Sequence, residues 1–595
     1  MKHHRKFPEF IAIFAAALAL AGGPAVAATI PVGGGCSLIH AIQSANGDLP
    51  VGGCVAGSGH DTILLQSNID MSGAFSGFNA LPKLASDMTI DGQGLYTLRI
   101  TGGAASLRFF NHDAGTVTLR GITFRDGRMA GSGQGGAFTA NSNATMIVEE
   151  CEFINNVAAQ GGAFTFGPSS PFAGSLTVRD SRFENNTAHG GAGGAISSQT
   201  THHDVTIQRT VFVGNTSPNS VGGAFARGPV GTAVFEDCEF TDNSALQGGA
   251  IYFGGSAPGN VVNIWRSSFS SNSADKGGAI GLNGARTLFI RESTLDSNTA
   301  TTWGGAIWAD GGGAGGFVET INTTLSGNSA GSRGGAIYVG HFPGVLRSST
   351  VIDNSAPQGA GFYGFGGPGD LYAYWSLLAN AANGANCQFN GASLFDFGGN
   401  LVDDGTCGGT VGPITGLDPV LADNGGPTLT HALLAGSNAI DSAPTCTLPT
   451  DQRGMARDDG ACDSGAYEFE ATYFPPPVPD GVSGAPLLFD RTNLAGTAID
   501  VYWDASCNAP DYHLLHGDLA DVELLTPDDS SCALGTSGTA SGLPVSAGDR
   551  WFLLVANDAA DLEGSWGESS GGTRKPGVPS LECGIVDRND AGVCP

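Results

Sequence analysis

Short stretches in which apolar and polar residues alternate recur through the middle of the chain. Leu176 and Val178 stand seven and five residues before Phe183, and later segments repeat these offsets. A period of two is typical of a strand with one buried face. The pattern therefore predicts a series of short strands, and none of these segments has the period of a helix.

Two motifs recur in phase with this alternation. One is Gly-Gly-Ala followed by Phe or Ile, from Gly135–Phe138 to Gly334–Ile337, with a decayed copy at Gly359–Phe362. The other is an apolar residue, two variable residues and asparagine, and it returns at intervals of roughly 26 to 30 residues. Its asparagines are Asn156, Asn186, Asn215, Asn243, Asn272, Asn298, Asn328 and Asn354.

A repeat of this length holds three short strands, which can bury an apolar face only if successive repeats stack. Stacked copies of one strand run parallel, about 4.8 Å apart. The sequence therefore predicts an all-β chain, with a right-handed parallel β-helix (a pectate-lyase-like solenoid) followed by a small β-sandwich. Propeller blades of about 40 residues fit the period poorly.

Equivalent positions of the repeat suggest structural roles. We expect the recurring asparagines to point inward at a bend, where their amides bond one another and the backbone. Cys151 and Cys238 occupy equivalent places three coils apart. At strand spacing this is about 14 Å, too far for a disulfide. We predict that both are free, buried thiols.

The paired motifs, from about Ile122 to Phe362, resemble the repeats of the polymorphic outer-membrane proteins and related bacterial β-helix proteins. That resemblance implies surface adhesion. The segment Cys36–Ile42 is similar to the Cys-Ser-Leu-Arg-Glu-Ala start of such secreted proteins, with Ile39 and His40 in place of Arg-Glu. Its apolar residues fall on one helical face, which predicts a short helix plugging the open end of the coil.

Residues 418–468 resemble the C-terminal part of the choice-of-anchor Q bacterial proteins, through motifs such as Asp423–Thr428. The resemblance implies that this region continues the β-helix and closes it. We predict that Arg453, Asp441 and Glu468 form a buried ion pair that fixes this cap, with a catalytic role as the alternative.

The chain thus divides into consecutive parts. Short predicted strands after a Pro-rich linker resemble the fibronectin type III-like modules of secreted bacterial proteins. The predicted parts are a signal peptide at 1–27, an N-terminal cap and first coils at 28–110, the repeat β-helix at 111–385, last coils and C-terminal cap at 386–472, the linker at 473–481, and the fibronectin type III-like β-sandwich at 482–595.

The start of the chain resembles an export signal. A positive stretch precedes the apolar run Ile11–Ala21, which is too short to span a bilayer comfortably. Small residues at Ala25 and Ala27 predict cleavage after Ala27, with cleavage after Ala28 as the second choice. A short membrane anchor is the alternative to a signal peptide. We expect a mature chain without a transmembrane segment, secreted to the extracellular space or the outer cell surface, and monomeric.

Composition limits which partners the protein can bind and indicates the compartment in which it folds. The formal net charge of −29 repels nucleic acid and anionic lipid. Twelve cysteines fit an oxidising compartment. Proximity along the sequence pairs them as Cys36 with Cys54, Cys387 with Cys407, Cys446 with Cys462, Cys507 with Cys532, and Cys583 with Cys594.

The sequence contains no evident catalytic or metal-binding constellation. Charges alternate along one column of the repeat, which favours a neutralising ladder over a catalytic pair of carboxylates. Its members are Asp180, Arg209, Asp237, Arg266 and Glu292. The pair His202 and His203 lacks further ligands. We predict no metal and no cofactor, with structural calcium at Asp403–Asp404 or Asp528–Asp529 as the alternative.

One surface feature suggests a ligand. The residue after Phe or Ile in the Gly-Gly-Ala motif should point outward, and successive coils place an aromatic residue there, with Gly281 as an interruption. The predicted strip is Tyr252, Trp308, Tyr338 and Tyr363. Aromatic strips bind sugars or partner surfaces, although such pairs also simply stabilise sheets. We predict an adhesin-like binding protein for glycan or a cell surface, with a polysaccharide lyase or glycoside hydrolase acting on the helix flank as the alternative.

Overall fold

The computed structural model describes residues 27–469, apart from short loops at 102–105, 142–143, 168–173, 200–203, 229–230, 256–259, 285, 312–315, 368, 381–383, 444–447 and 458–460. Beyond 469 it describes only strand segments between 488 and 588. The predicted fold class is confirmed, because the described chain is a parallel β-solenoid that is almost entirely β.

Three parallel sheets form the wall of the coil, and we call them sheets A, B and C. In most coils sheet A contributes an upstream strand and a downstream strand, separated by a bend. The short strands of sheet C follow, and sheet B closes the turn. Each strand hydrogen-bonds to its copy in the next coil, for example Leu176–Arg179 to Val205–Gln208 in register.

The strand bounds follow this order. The upstream strands of sheet A are Thr29–Pro31, Asp61–Leu64, Met88–Ile100, Gly115–Arg125, Ala144–Glu149, Leu176–Arg179, Val205–Gln208, Ala233–Glu236, Asn260–Trp265, Arg286–Arg291, Phe317–Ile321, Gly344–Arg347, Leu371–Tyr374 and Leu394–Asp396. Its downstream strands are Ile69–Met71, Glu152–Ile154, Arg182–Glu184, Val211–Val213, Glu239–Thr241, Ser268–Ser270, Thr294–Asp296, Thr324–Ser326, Thr350–Ile352, Leu377–Ala379, Leu401–Val402 and Thr410–Val411.

Sheets B and C alternate along the chain. Sheet B comprises Phe110–His112, Phe138–Ala140, Phe164–Phe166, Ile196–Ser198, Phe225–Arg227, Ile251–Gly254, Ile280–Asn283, Ile307–Asp310, Ile337–Gly340, Phe362–Phe365 and Cys387–Asn390. Sheet C comprises Val157–Ala158, Thr187–Ala188, Thr216–Val221, Ser244–Gln247, Ser273–Lys276, Thr299–Trp303 and Ser329–Ala330.

Each coil bends at residues with a left-handed backbone. In the coil that begins at Leu176 these residues are Asp180, Asn185 and Gly193, with φ of 50°, 54° and 75°. Short polar side chains and glycine tolerate this conformation best, which explains why the bends are rich in Asp, Asn and Gly. The alternating charge column lies at the first bend, between the two strands of sheet A.

The inward asparagines form a continuous hydrogen-bonded ladder. The Nδ2 of Asn186 donates to Oδ1 of Asn215 at 2.9 Å and to the carbonyl of Phe153 at 2.8 Å, while its Oδ1 accepts from Asn156 Nδ2 at 3.0 Å. Each asparagine of the repeat is fully buried. The ladder therefore satisfies backbone carbonyls that the bend would otherwise leave unpaired.

Phenylalanines fill the interior beside the ladder. The rings of Phe153, Phe183, Phe212 and Phe240 stack coil on coil, with centroids 4.8 to 4.9 Å apart. This spacing equals the distance between neighbouring parallel strands. Identical apolar residues at one position therefore form a continuous core along the coil axis.

A short helix covers the first coils. It spans Leu38–Gly47, and the hydroxyl of Ser37 caps it by accepting from His40 N at 3.2 Å. Leu38, Ala41 and Ile42 are buried against the same core cluster as the strands. This is the helix that the spacing of apolar residues predicts.

The cysteines divide into bonded and free groups. Disulfides join Cys36 to Cys54 and Cys387 to Cys407, with Cα atoms 4.6 and 5.1 Å apart. Cys151 and Cys238 are free and buried. Cys462 is disulfide-bonded. The remaining cysteines of the predicted pairs lie outside the described residues, namely Cys446, Cys507, Cys532, Cys583 and Cys594.

The described residues after Val411 add no further strand to the three sheets of the solenoid, and the cap implied by the choice-of-anchor Q resemblance stays a prediction. The described residues of 413–469, which exclude 444–447 and 458–460, run back along the outer side of the downstream strands of sheet A. Ser326 Oγ lies 2.9 Å from His431 Nε2, and Thr324 Oγ1 donates to Gln452 Oε1 at 2.7 Å. The downstream strands carry small Thr and Ser side chains here, which leaves room for the covering segment.

The predicted ion pair of this segment is wrong in its partners. Arg453 pairs with Asp451, with Nη2 and Oδ2 2.8 Å apart, and its Nη2 donates to the backbone carbonyl of Glu468 at 2.6 Å. The Glu468 carboxylate instead pairs with the buried Arg457. Asp441 uses its backbone N–H to bond Asp463 Oδ1 at 2.8 Å. Sequence spacing alone could not distinguish these neighbouring arginines and aspartates.

The C-terminal region is antiparallel rather than parallel. One sheet contains Leu488–Arg491, Ala498–Tyr502 and Thr539–Pro544, and another contains Asp511–Asp518, Asp529–Ser531, Arg550–Asn557, Leu562–Glu563 and Asp587–Arg588. Only the closing pair, Leu562–Glu563 with Asp587–Arg588, runs parallel among these described strands. The described strands agree with an all-β region, and the β-sandwich stays a prediction. Residues 473–481 of the linker lie outside the described residues.

Candidate functional site

The predicted aromatic strip on sheet B is in register but not exposed. Strand pairing places Trp308 beside Tyr338, and Tyr338 beside Tyr363. Their side chains point away from the main core, yet they are 4%, 2% and 1% exposed, respectively. Tyr252 is half-buried. The expectation of a solvent-facing strip is therefore wrong for three of its four members.

A second row of side chains covers these rings. It comes from the residue immediately before each Gly-Gly-Ala motif or its decayed copy, and consists of Gln247, Lys276, Trp303, Arg333 and Gln358. Trp303 stacks on Tyr338 with centroids 5.2 Å apart, and Arg333 lies 5.1 Å from the Tyr363 ring. Burial under this row raises the pKa of Tyr338 to about 12. These rings therefore stabilise the sheet.

Exposed aromatic rings occur instead on the upstream strands of sheet A. Their outward positions align across coils, so that Tyr372 pairs with Phe395 in register and Trp265 pairs with Arg291. We call this surface the aromatic–arginine face. It consists of Trp265, Phe289, Arg291, Arg347, Tyr372, Tyr374, Phe395 and Phe397.

Ring stacking fixes the orientation of the aromatic side chains on this face. Phe395 lies on Tyr372 with centroids 4.8 Å apart, and Phe397 lies on Tyr374 at 4.4 Å. Phe395 and Phe397 nevertheless remain 41% and 51% exposed. The guanidinium of Arg347 lies 4.5 Å from the Tyr374 ring. The face thus combines flat apolar rings with hydrogen-bond donors at fixed positions.

A groove runs beside this face. The covering segment 413–469 forms one wall through Leu448–Thr450, and the strands form the other through Arg291, Asn322 and Arg347. The cavity between them is about 390 Å³. Glu292 also lines it, and burial raises the pKa of its carboxyl group. A ligand lying on the rings would therefore have polar groups within reach on one side.

The sequence reasoning missed this face because it followed only the conspicuous Gly-Gly-Ala motif. The same alternation that predicts Leu288 and Ile290 as inward residues leaves Phe289 and Arg291 outward. The corresponding positions in later coils are, in order, Glu319 and Ile321, Val345 and Arg347, and Tyr372 and Tyr374. The signal was present in the pattern of the upstream strands.

The alternating charges behave as a neutralising ladder, as predicted. Arg209 Nε lies 2.6 Å from Asp180 Oδ1, and Arg266 Nε lies 2.7 Å from Asp237 Oδ1. Arg266 also pairs with Glu236. Two of the flank carboxylates that a hydrolase could use are thus each held by an arginine.

Metal ligands do not converge in the part of the chain that the structure describes, where no group of three His, Cys, Asp or Glu side chains could hold an ion. His202, His203 and Asp528 lie outside that part. Asp404 accepts from the backbone N–H of Asn386 at 2.8 Å and so ends the asparagine ladder.

No helix among the described residues is long and apolar enough to cross a membrane.

Comparisons with known proteins agree with the repeat. Residues 180–199, 237–254, 292–310 and 322–340 match the Chlamydia polymorphic membrane protein (Chlamydia_PMP) repeat. The chain is 29% identical over 198 residues to the probable autotransporter YfaL of Escherichia coli (strain K12), a match covering 29% of this chain and 16% of that relative. The chain therefore carries polymorphic membrane protein-type repeats on a parallel β-solenoid. The choice-of-anchor Q resemblance of 418–468 stays a prediction.

Proposed function

We propose that this chain is a secreted or surface-exposed β-helix that binds glycans, as an adhesin-like passenger, along the aromatic–arginine face. The observation that carries the proposal is the pair of stacked, exposed rings Phe395 and Phe397, which are 41% and 51% exposed. Aromatic faces of this kind pack against the apolar faces of sugar rings. The repeat match and the autotransporter relative support a location at or beyond the cell surface.

The arrangement of polar groups supports a sugar rather than a purely apolar partner. Arg291 and Arg347 stand among the rings, and Glu319 pairs with Arg347 at 3.3 Å. Sugar hydroxyls need donors and acceptors beside the ring that stacks, and this face provides both. The net charge of −29 favours neutral glycans over long polyanions on this face. We expect the protein to act as a monomer.

The test is retention on immobilised glycans. The double variant Phe395→Ala with Phe397→Ala should lose retention at least tenfold while its melting temperature stays close to the parent value. A matched control changes Phe75 and Phe78 to Ala, since these residues are 44% and 56% exposed on the first coils. Equal retention by both double variants would contradict the proposal.

Catalysis on the flank remains the competing function. A glycoside hydrolase needs two carboxyl groups on either side of the bond that breaks. Glu292, with its raised pKa and its place in the groove, is the described carboxyl group that fits a general acid best. Release of reducing ends or unsaturated products would favour this second function over binding alone.

A further inference from the structure

One column of outward positions on sheet A runs the whole length of the aromatic–arginine face. Strand register places its members one coil apart, in the order Trp265, Arg291, Ile321, Arg347 and Tyr374. Phe397 stacks on Tyr374 from the following coil. The column therefore crosses six consecutive coils, and an aromatic ring lies at each of its ends.

The rings of the face are grouped at these two ends. The first ring cluster is Trp265 with Phe289, and the last ring cluster is Tyr372, Tyr374, Phe395 and Phe397. Trp265 is 38% exposed. The guanidinium of Arg291 lies 5.9 Å from the Trp265 ring and 5.3 Å from the Phe289 ring, which fixes the first cluster in place. Each cluster thus offers a separate surface on which a sugar ring can stack.

The groove between the strands and Leu448–Thr450 occupies the coils that separate the two clusters. Its strand side includes Arg291, Ile321 and Arg347, which come from three successive coils of the column. The cavity of about 390 Å³ therefore lies parallel to the coil axis. A ligand that contacts both ring clusters along the column passes beside this groove.

The charges of the groove balance, and one donor is left over. Arg347 pairs with Glu319 at 3.3 Å, and the charge of Arg291 acts on the neighbouring Glu292 carboxyl group. The Nε of Arg291 is buried and has no hydrogen-bond partner among the described residues. Buried polar atoms are rarely left unsatisfied, and a ligand hydroxyl in the groove would accept this bond. Balanced charges and a free donor favour a neutral, hydroxyl-rich ligand.

The length of the column fits a chain of sugars. Equivalent strands lie about 4.8 Å apart, so the five steps from Trp265 to Phe397 cover about 24 Å. In a β-1,4-linked chain of glucose-type rings both bonds of each linkage are equatorial, and the extended chain advances by nearly one coil per sugar. Each sugar of such a chain would lie over one coil, and six sugars would cover the column.

We infer that the aromatic–arginine face binds an extended, neutral β-1,4-linked hexopyranose chain that runs parallel to the coil axis from one ring cluster to the other. The inference rests on the proposed function for the identity of the ligand as a glycan. The ring clusters stack on the sugars at the two ends, and the groove donates hydrogen bonds to those between. A chain that reaches both clusters gains affinity because its second contact is intramolecular. Affinity should therefore rise steeply with chain length.

The test is calorimetric titration of the full chain with cello-oligosaccharides of three to six glucose units. We expect cellohexaose to bind at least about tenfold more tightly than cellotriose. Trp265→Ala should remove most of this gain because the far end of the chain loses its stacking surface, and Arg291→Met should reduce it as well. Phe78→Ala, which changes an exposed ring on the first coils, is the matched control and should keep the full gain. Arg291→Met keeps the test valid if Trp265→Ala does not fold.

A second pair of ligands tests the shape of the chain. Laminarihexaose and laminaritriose consist of the same sugar with β-1,3 linkages, which make the chain curve away from a straight column. We expect laminarihexaose to gain little over laminaritriose, and a gain equal to that of the cello-oligosaccharides would overturn the extended chain.

The remaining outcomes separate this inference from the proposed function. Equal affinities for cellotriose and cellohexaose, or a gain that is unchanged in both Trp265→Ala and Arg291→Met, would overturn the span between the clusters. Absence of binding to every cello-oligosaccharide would overturn the β-1,4 assignment. Glycan retention that depends on Phe395 and Phe397 would uphold the proposed function in each of these cases, whereas loss of that dependence would contradict the proposed function itself.

Discussion

The ring of Phe397 stacks on Tyr374 with centroids 4.4 Å apart and planes inclined by 9°. Tyr374 ends an upstream strand of sheet A, and Phe397 follows the equivalent strand of the next coil. Because equivalent strands lie one coil apart, contacts of this kind arrange aromatic rings in a row on the outer surface of the solenoid. Because Phe397 remains half exposed, the same stack that stabilises the sheet also offers a face to a ligand.

The asparagine ladder should be a main source of stability. Asn215→Ala would leave Oδ1 of Asn243 and the carbonyl of Phe183 without the donors that lie 3.0 and 2.9 Å away. We expect the free energy of unfolding to fall by about 2–4 kcal/mol, measured by urea denaturation. Asn219→Ala removes an exposed asparagine of the sheet C strand Thr216–Val221, whose Nδ2 donates only to the carbonyl of His189, at 3.0 Å, among the described residues, and should have a much smaller effect. Similar losses in the two variants would refute the role of the ladder.

The covered aromatic row should matter for folding and not for binding. Tyr338 is 2% exposed between Trp303 and Tyr363, so Tyr338→Ala should cost about 3–5 kcal/mol of unfolding free energy. Glycan retention per folded molecule should not change. Thermal unfolding and retention, measured on the same preparation, check both statements. If Tyr338→Ala folds stably but loses glycan retention, the covered aromatic row and not the aromatic–arginine face is the ligand surface.

Cys151 and Cys238 should resist chemical modification in the native protein. Both thiols are buried, and burial raises the pKa of each to about 12. Iodoacetamide at pH 8 should leave them unlabelled until the chain unfolds, as read by peptide mass mapping. Labelling without denaturant, or a peptide that links the two cysteines, would contradict the register of the coils.

Stability should fall in mild acid because of His112. Burial lowers the pKa of this side chain to about 4 from the ordinary value near 6.5. Between these values the unfolded chain binds the proton and the folded chain does not, so stability decreases as the pH falls from 6.5 to 4. The loss is up to about 3 kcal/mol.

His112→Gln should reduce the dependence on pH, whereas His60→Gln, which changes an exposed histidine, should leave it as in the parent. Urea midpoints measured from pH 7 to pH 4 provide the comparison. A parent protein whose midpoint is constant over this interval would show that His112 does not stay neutral in the folded state.

The sequence predicts those parts of the structure that repeat. Asn186 and the apolar position of Phe183 recur at one offset through eight successive copies, with Leu or Val in the later ones, and only stacking explains such a regular spacing. The parallel solenoid therefore follows from the period. The same period predicts that Cys151 and Cys238 are free thiols, and the structure confirms this. Local pattern is enough here because each coil contacts mainly its neighbours.

Contacts between non-equivalent parts of the chain were not predicted. Trp303 precedes one Gly-Gly-Ala motif, and Tyr338 follows the Gly-Gly-Ala motif of the next coil. A bend brings Trp303 over Tyr338, and the alternation of apolar and polar residues does not reveal this contact. The path of 413–469 depends on contacts such as Ser326 with His431, between residues 105 positions apart.

Glycan binding by the aromatic–arginine face is tested most directly by a glycan array probed with residues 28–595, with parallel assays for reducing ends and unsaturated products. We expect binding to a defined set of glycans, without product release, that is lost when Phe395 and Phe397 are changed to Ala. Product release, or binding that survives this change, would contradict it, and product release would make Glu292 the first residue to substitute.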